Sequence, residues 1–203
     1  QNMAFFSQKE WNEDDAWSHY LGARWESFHA AIDDVHGMRL GKTRTVLSPI
    51  AQTRWKNPEN KENQIRFAIA RTFKNPEASQ MITTTLPHLN NDLTLPDTIG
   101  NPQLKPEIAW GLDSAFEHFG ENEFNYSVSH YLKKVNDLLR DRLFQGQGRW
   151  LQQTINDGDA LSHGFVFDMS LPLSLIIKDA KKLNVKANMS RNWSTVNNVA
   201  GPN

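Results

Sequence analysis

The sequence contains no cysteine among its 203 residues. This absence excludes disulfides, thiolate zinc sites and cysteine nucleophiles, and it is typical of a reducing compartment. A long hydrophobic run is also lacking, because the longest one, residues 171–177, is far shorter than the roughly 20 residues of a membrane helix. The N-terminal residues do not form the apolar core of a signal peptide. We therefore expect a cytoplasmic protein with no membrane partner.

An overall excess of one charge sign is absent as well, since the formal net charge is −1. The charges are nevertheless segregated along the chain. Residues 39–74 carry nine Lys and Arg against two Asp and Glu, and acidic segments flank them on both sides. Such a basic block either pairs internally with the acidic segments or meets a polyanionic partner.

The sequence does contain apolar residues that recur every three or four positions, and this spacing favours amphipathic helices. The clearest case lies in residues 12–41, and its apolar members are Trp17, Leu21, Trp25, Phe28, Ile32 and Val35. The same reasoning predicts further helices over residues 58–74, 106–120, 122–144 and 170–183. The only strand candidate in the second half of the chain is a weak one at residues 164–167.

These patterns predict a mainly α protein. We expect residues 1–203 to form a single irregular helical bundle of five to seven helices with one or two short extended segments. A connection rich in proline and asparagine, residues 85–106, is the place for a subdomain break. The asparagine-rich C-terminal tail, residues 184–203, would be ordered by packing on the domain itself or on a neighbouring subunit.

A polar stripe beside the apolar face of the first predicted helix is the strongest candidate for chemistry. Glu26, His29, Asp33 and His36 recur at helical spacing, and Glu-x-x-His is a spacing found in helical dimetal sites. These four residues could bind a divalent metal ion, with His118 or His130 as partners from later helices. His29, Asp33 and His36 are the corresponding catalytic candidates, since His beside Asp is a common acid–base pair. The alternative is a solvated polar flank.

The basic segment 39–74 is the candidate binding surface, because cations interleaved with aromatic residues hold phosphates and unstacked bases. The residues expected to bind nucleic acid are Arg44, Arg54, Trp55, Lys56, Arg66, Phe67, Arg71 and Lys74. The sequence thus favours a non-enzymatic interaction module that binds nucleic acid or an acidic protein surface. A metal- or histidine-dependent hydrolase or nuclease that uses the first helix is the alternative function.

Overall fold

The computed structural model describes residues 2–33, 39–120, 123–177 and 183–197. Within these ranges the chain is built almost entirely of β-strands. A single short α-helix, α1 (Ala78–Met81), and a 3-10 turn at Leu173–Leu175 are the described helical elements. The strands are β1 (Asn2–Asn12), β2 (Trp17–Asp33), β3 (Arg39–Lys56), β4 (Asn63–Lys74), β5 (Asp97–Ile99), β6 (Glu107–Phe119), β7 (Asn125–Asn136), β8 (Leu139–Gly146), β9 (Arg149–Asn156), β10 (Asp159–Pro172) and β11 (Asn184–Asn197).

Eight of these strands form one antiparallel sheet in the order β1-β2-β3-β4-β6-β7-β10-β11. Each strand pairs with the next one in this order, so the sheet is an up-and-down meander with two interruptions. Among the described residues, β1 and β11 each have one edge that pairs with no other strand. The remaining strands, β5, β9 and β8, form a second, three-stranded sheet in which β5 runs parallel to β9.

The two longest connections of the large sheet lie at the same end of it. At the short-turn end, residues 13–16, 57–62 and 120–124 join consecutive strands, and residues 173–183 make one longer connection from β10 to β11. Asp14 Oδ1 accepts hydrogen bonds from the backbone N–H groups of Ala16 and Trp17, at 2.8 and 2.7 Å. At the opposite, long-loop end, residues 75–106 and 137–158 make the two interruptions and contain the small sheet, whereas the connection from β2 to β3 spans only residues 34–38.

The predicted mainly α bundle is wrong. Trp17, Leu21 and Trp25 lie in β2, where residues four apart share a face just as they do on a helix. The polar residues before this segment form a hairpin turn, because an Asp side chain can bond to N–H groups in a turn as well as at a helix N-cap. The spacing of four therefore did not distinguish a strand from a helix.

The other predicted helices are also strands. Residues 63–74 form β4, the segment 107–119 forms β6, and residues 122–144 contribute β7 and most of β8. The segment 170–183 holds the end of β10 and the 3-10 turn, and residues 178–182 lie outside the described residues. The predicted strand at 164–167 lies within β10. In the tail, residues 184–197 pair with β10 of the same chain, and the suggested subdomain break at 85–106 stays a prediction.

None of the helices in the described part of the chain is long and apolar enough to cross a membrane.

Candidate functional surfaces

The large sheet has one apolar face and one polar face, because successive side chains of a strand point to opposite sides. Strand pairing places one residue from each strand in a row on the apolar face: Lys9, Leu21, Ala51, Ile69, Leu112, Leu132, His163 and Trp193. The neighbours of these residues in sequence, such as Gly22, Ala68 and Asp113, lie on the polar face.

The apolar face is open to its surroundings. Leu21 is 54% exposed, Ile69 45% and Leu112 43%, although each lies in the middle of a regular strand. Contiguous exposure of this kind is unfavourable in water and marks a surface that contacts protein or lipid. The described structure buries few apolar side chains completely; Val46, Leu104 and Ala109 are examples.

Aromatic side chains border the apolar face at both ends of the strands. Near the short-turn end, Trp17 and Trp55 lie opposite each other with ring centroids 6.4 Å apart. With Trp11 and Tyr126 they form what we call the short-turn belt. Near the other end, the long-loop belt consists of Phe5, Trp25, Trp110 and Trp193, with Phe5 and Trp25 in contact at 5.8 Å.

The polar face is linked by hydrogen bonds between neighbouring strands. Glu117 accepts from Arg66 Nη2 at 2.8 Å and from Gln64 Nε2 at 2.5 Å. Tyr131 donates its hydroxyl to Asn192 Oδ1 at 3.0 Å. Such bonds keep polar side chains extended over this face, and they make it suited to contact water or a polar partner.

A cavity of about 610 Å³ opens over β6, β7, β10 and β11 near the short-turn end. Residues of the polar face supply its charged and hydroxyl groups, including Glu117, Ser127, Asp168, Ser170 and Lys186. The mixture of one cation, two carboxylates and several neutral donors indicates a polar ligand or a polar protein segment, with no preference for one charge sign.

The two long connections are bound to each other and form what we call the outer cap, residues 75–106 and 137–158. Asp97 on β5 is 2% exposed and lies at the centre of their contacts. Its carboxylate accepts from Arg149 Nε at 2.5 Å, from Arg149 Nη2 at 2.9 Å, and from the backbone N–H of His88 at 2.8 Å. Asn91 Nδ2 adds a fourth hydrogen bond at 3.0 Å.

These bonds also change the proton affinity of Asp97. The Arg149 guanidinium and the N–H of His88 both stabilise the charged carboxylate, so the pKa of Asp97 lies far below its ordinary value. Conversely, the hydrogen bond to Asp97 raises the pKa of Arg149. The centre of the outer cap is therefore a permanent ion pair across the physiological pH range.

The outer cap is tied to the large sheet at a few positions. Arg44 on the polar face of β3 reaches the carbonyl of Pro102 at 3.5 Å, and the backbone N–H of Leu139 donates to Glu107 Oε1 at 2.7 Å. Several leucines of the cap point away from it, and Leu89 is fully exposed. These hydrogen bonds thus fix the outer cap to the large sheet at the long-loop end.

The predicted metal and catalytic residues do not share one surface among the residues described. Glu26 lies on the polar face, where it pairs with Arg24 at 3.0 Å, while His29 lies on the apolar face, 2.9 Å from Thr43 Oγ1. The side chains of Asp33 and His36 lie outside the described residues. His118 contacts Asn63 Oδ1, and His130 packs on Phe165. No group of three or more His, Asp or Glu side chains that could hold a metal is found within the described ranges.

The predicted nucleic-acid-binding residues are split by the strand alternation. Arg44, Arg54, Lys56, Arg66 and Lys74 all lie on the polar face, whereas Trp55, Phe67 and Arg71 lie on the apolar face. Five of the six predicted cations therefore lie on the opposite face from the two aromatic residues, and only Arg71 shares their face. Arg66 pairs with Glu117, which favours the internal-pairing interpretation for Arg66, whereas Arg54 donates to the neutral hydroxyl of Ser18 at 2.8 Å.

The residues of the outer cap were missed by the sequence reasoning. Asp97 and Arg149 are 52 positions apart and belong to no short motif. The signal that could have found the apolar face was available, because Ile108, Trp110 and Leu112 are large apolar residues at alternate positions.

The family model described as "TonB dependent receptor-like, beta-barrel" matches residues 1–201 of the chain. No curated protein sequence matches this chain. Among solved structures, the chain is similar to the copper transporter OprC, with a TM-score of 0.68, 15% identity, and coverage of 97% of this chain and 30% of that one. It is also similar to the siderophore receptor PirA from Pseudomonas aeruginosa, with a TM-score of 0.67, 14% identity and coverage of 96% and 43%.

A third similar structure is the FrpB iron transporter from Neisseria meningitidis (F3-3 variant), with a TM-score of 0.64, 12% identity and coverage of 98% and 27%. The chain thus spans less than half the length of these structures. The family match overturns four predictions: the helical nucleic-acid-binding module, the hydrolase alternative, the cytoplasmic location and the lack of a membrane partner. The chain belongs to the TonB-dependent receptor-like β-barrel family.

Proposed function

We propose that this chain forms part of the wall of an outer-membrane receptor barrel, with its apolar face toward lipid and its polar face toward the lumen. The observation that carries this proposal is the open apolar face bordered by an aromatic belt at each end. Transmembrane barrels have this arrangement, because lipid solvates the apolar residues while aromatic rings prefer the two interfaces.

The spacing of the belts fits a bilayer. Trp17 and Trp25 of β2 are eight residues apart, which is about 26 Å along a strand. At a tilt of about 40° the separation along the membrane normal is about 20 Å, close to the roughly 25 Å band of such barrels. The membrane-spanning part of each strand would therefore lie between the belts.

The two longest connections, residues 75–106 and 137–158, support one orientation. Transmembrane barrels have short periplasmic turns and longer extracellular loops. The short-turn end would face the periplasm, and the outer cap would face the outside of the cell. Eight strands are about a third of a 22-stranded transporter barrel, which agrees with the 27–43% of the similar structures that the chain covers.

A role in uptake follows from this placement. The similar structures are described as a copper transporter, an iron transporter and a siderophore receptor. We propose that this wall segment belongs to a receptor for a metal ion or a metal chelate, which would meet the outer cap first and the polar face afterwards. The polar face and its cavity offer carboxylate, amide, hydroxyl and ammonium groups along that path.

Single-cysteine labelling tests the assignment of the faces, since residues 1–203 contain no cysteine. In the intact protein in outer membranes, we expect Asp113→Cys to react with a charged, water-soluble maleimide. Leu112→Cys, one residue earlier on the opposite face, should be protected from that reagent and labelled by a maleimide dissolved in the lipid phase. Equal aqueous labelling at both positions, or recovery of the protein in the soluble fraction, would overturn the proposal.

A further inference from the structure

The centre of the apolar face carries two polar side chains on neighbouring strands. Ser114 on β6 is directly opposite His130 on β7. His130 lies four residues from Tyr126 of the short-turn belt and four residues from Lys134, which is opposite Trp110 of the long-loop belt. Both polar side chains are therefore at the middle of the apolar layer, midway between the two belts.

Neither side chain has a hydrogen-bond partner among the residues that the structure describes. His130 only packs on the ring of Phe165, with the centroids 4.7 Å apart. By contrast, His19 at the short-turn belt contacts Thr53 Oγ1 at 3.0 Å within the same chain. Lipid tails offer no hydrogen bond, so an unpaired polar group at this depth is costly and indicates a contact that supplies the missing bond.

The surface around this pair is uncharged and large enough for a protein contact. On the apolar face, residues 65–69, 112–116, 128–132 and 163–167 place no Asp, Glu, Lys or Arg beside the pair. The strands β4, β6, β7 and β10 span about 19 Å side by side, and the belts are about 26 Å apart along a strand, which gives about 500 Å². Two such surfaces in contact would bury about 1,000 Å², which is enough for a specific interface.

We infer that a second copy of the protein docks on this surface in the membrane, with His130 of each copy hydrogen-bonded to Ser114 of the other. This inference rests on the proposed membrane placement. Complementarity identifies the occupant, because an imidazole and a hydroxyl each offer a donor and an acceptor, and a two-fold axis between the strands brings them together in reverse order. Two uncharged surfaces also meet without like-charge repulsion.

The physical setting favours such a contact. In lipid, burial of apolar surface adds little to association, so packing and hydrogen bonds between the two partners hold them together. Ser114 is small, which lets the facing strands approach closely, and it lies directly beside the larger His130 ring. The surface thus combines a protruding side chain with a neighbouring recess, as a self-complementary interface requires.

The test measures the dimer dissociation constant of the intact protein in phosphatidylcholine vesicles, by fluorescence energy transfer between two labelled populations as lipid is added. We expect a dimeric wild type, and His130→Leu should raise the constant about tenfold or more, because both reciprocal bonds are lost. His130→Gln keeps a donor and an acceptor and should keep most of the dimer. His19→Leu is the matched control, since the His19 ring is bonded within its own chain.

A mixture of two single variants tests the reciprocal geometry. Ser114→Ala and His130→Leu each lose both bonds in their own dimers, whereas a mixed dimer keeps one bond, from His130 of the first copy to Ser114 of the second. Differently tagged copies should therefore form mixed dimers in more than the statistical half, as counted by native mass spectrometry. A mixed fraction of one half or less overturns the inference.

Other outcomes are also decisive. A monomeric wild type, as expected if lipid or a different membrane protein covers this surface, overturns the inference, and so do equal dissociation constants for the wild type and His130→Leu. A monomer that inserts normally contradicts only this inference. Failure of the wild type to insert into the vesicles contradicts the proposed function as well.

Discussion

Arg149 holds the buried Asp97 carboxylate with two guanidinium nitrogens, Nε on one oxygen at 2.5 Å and Nη2 on the other at 2.9 Å. The two residues belong to different long connections of the sheet, so this pair joins residues 75–106 to residues 137–158. Bidentate pairing of this kind is strong and geometrically specific. The outer cap is therefore expected to open or stay closed as one unit.

Asp97→Asn keeps the size of the side chain and removes its charge. We expect the cap to loosen, because Arg149 loses its ionic partner and the amide donates where the carboxylate accepted. Hydrogen exchange should rise in both residues 75–106 and 137–158 while the strands between the belts stay protected. Asp92→Asn is the control, since Asp92 is exposed and accepts bonds only within its own turn. A rise in hydrogen exchange in only one of the two connections would contradict the claim that they open as one unit.

The low pKa of Asp97 determines how the cap responds to acid. Because the folded state lowers this pKa, the ion pair contributes stability above the unfolded value of about 4 and loses it as the pH falls through the folded value. We expect the exchange protection of the cap to be constant between about pH 5 and pH 8 and to decline only below about pH 4. A decline centred near pH 6 would show that another group controls the cap.

Ile69→Arg places a cation on the apolar face of β4, between Ile65, which is opposite Trp55 of the short-turn belt, and Arg71, which is opposite Trp110 of the long-loop belt. We expect a loss of about 2–4 kcal/mol in the free energy of unfolding from vesicles, the cost of Arg near the bilayer midplane. Ala68→Arg is the matched control, because Ala68 lies on the polar face directly opposite Asp113 and gains an acidic neighbour. Urea titration of both variants measures the difference, and equal losses would contradict the assigned faces.

Gly164→Ala tests the packing of the polar face. A Cβ atom there would meet the Arg191 carbonyl oxygen at 2.7 Å and the Tyr131 ring at 2.9 Å, and it would also clash with Asn192. Since the backbone of the adjacent strand has to move, we expect a cost of about 1–3 kcal/mol. Gly111→Ala should be tolerated, because the nearest atom to its Cβ is 4.0 Å away. The same urea titration measures the free energy of unfolding of both variants. Equal losses would show that the neighbouring strand does not pack closely against Gly164.

The helix prediction over residues 12–41 shows why the residue pattern indicated a helical fold where the structure has strands. Trp17, Leu21 and Trp25 satisfy a helical and a strand repeat equally, and only the positions between them distinguish the two. On a helix, Glu26 and His29 share a face because they are three positions apart. On a strand the same spacing places them on opposite faces, because successive side chains alternate. A helical bundle would bury Leu21, whereas on the sheet this side chain is 54% exposed.

The sequence by itself determined the local features: the alternation that makes two faces, the Asp and Asn residues that close hairpin turns, and the lack of cysteine. These depend on neighbours within a few positions, which the order of residues specifies directly. Only the tertiary structure decided that β4 pairs with β6 across the 75–106 connection, that most cations of the basic segment lie on the opposite face from Trp55 and Phe67, and that Asp97 contacts Arg149. Those contacts join residues far apart in the chain, and their energies arise only once the sheet has brought the strands together.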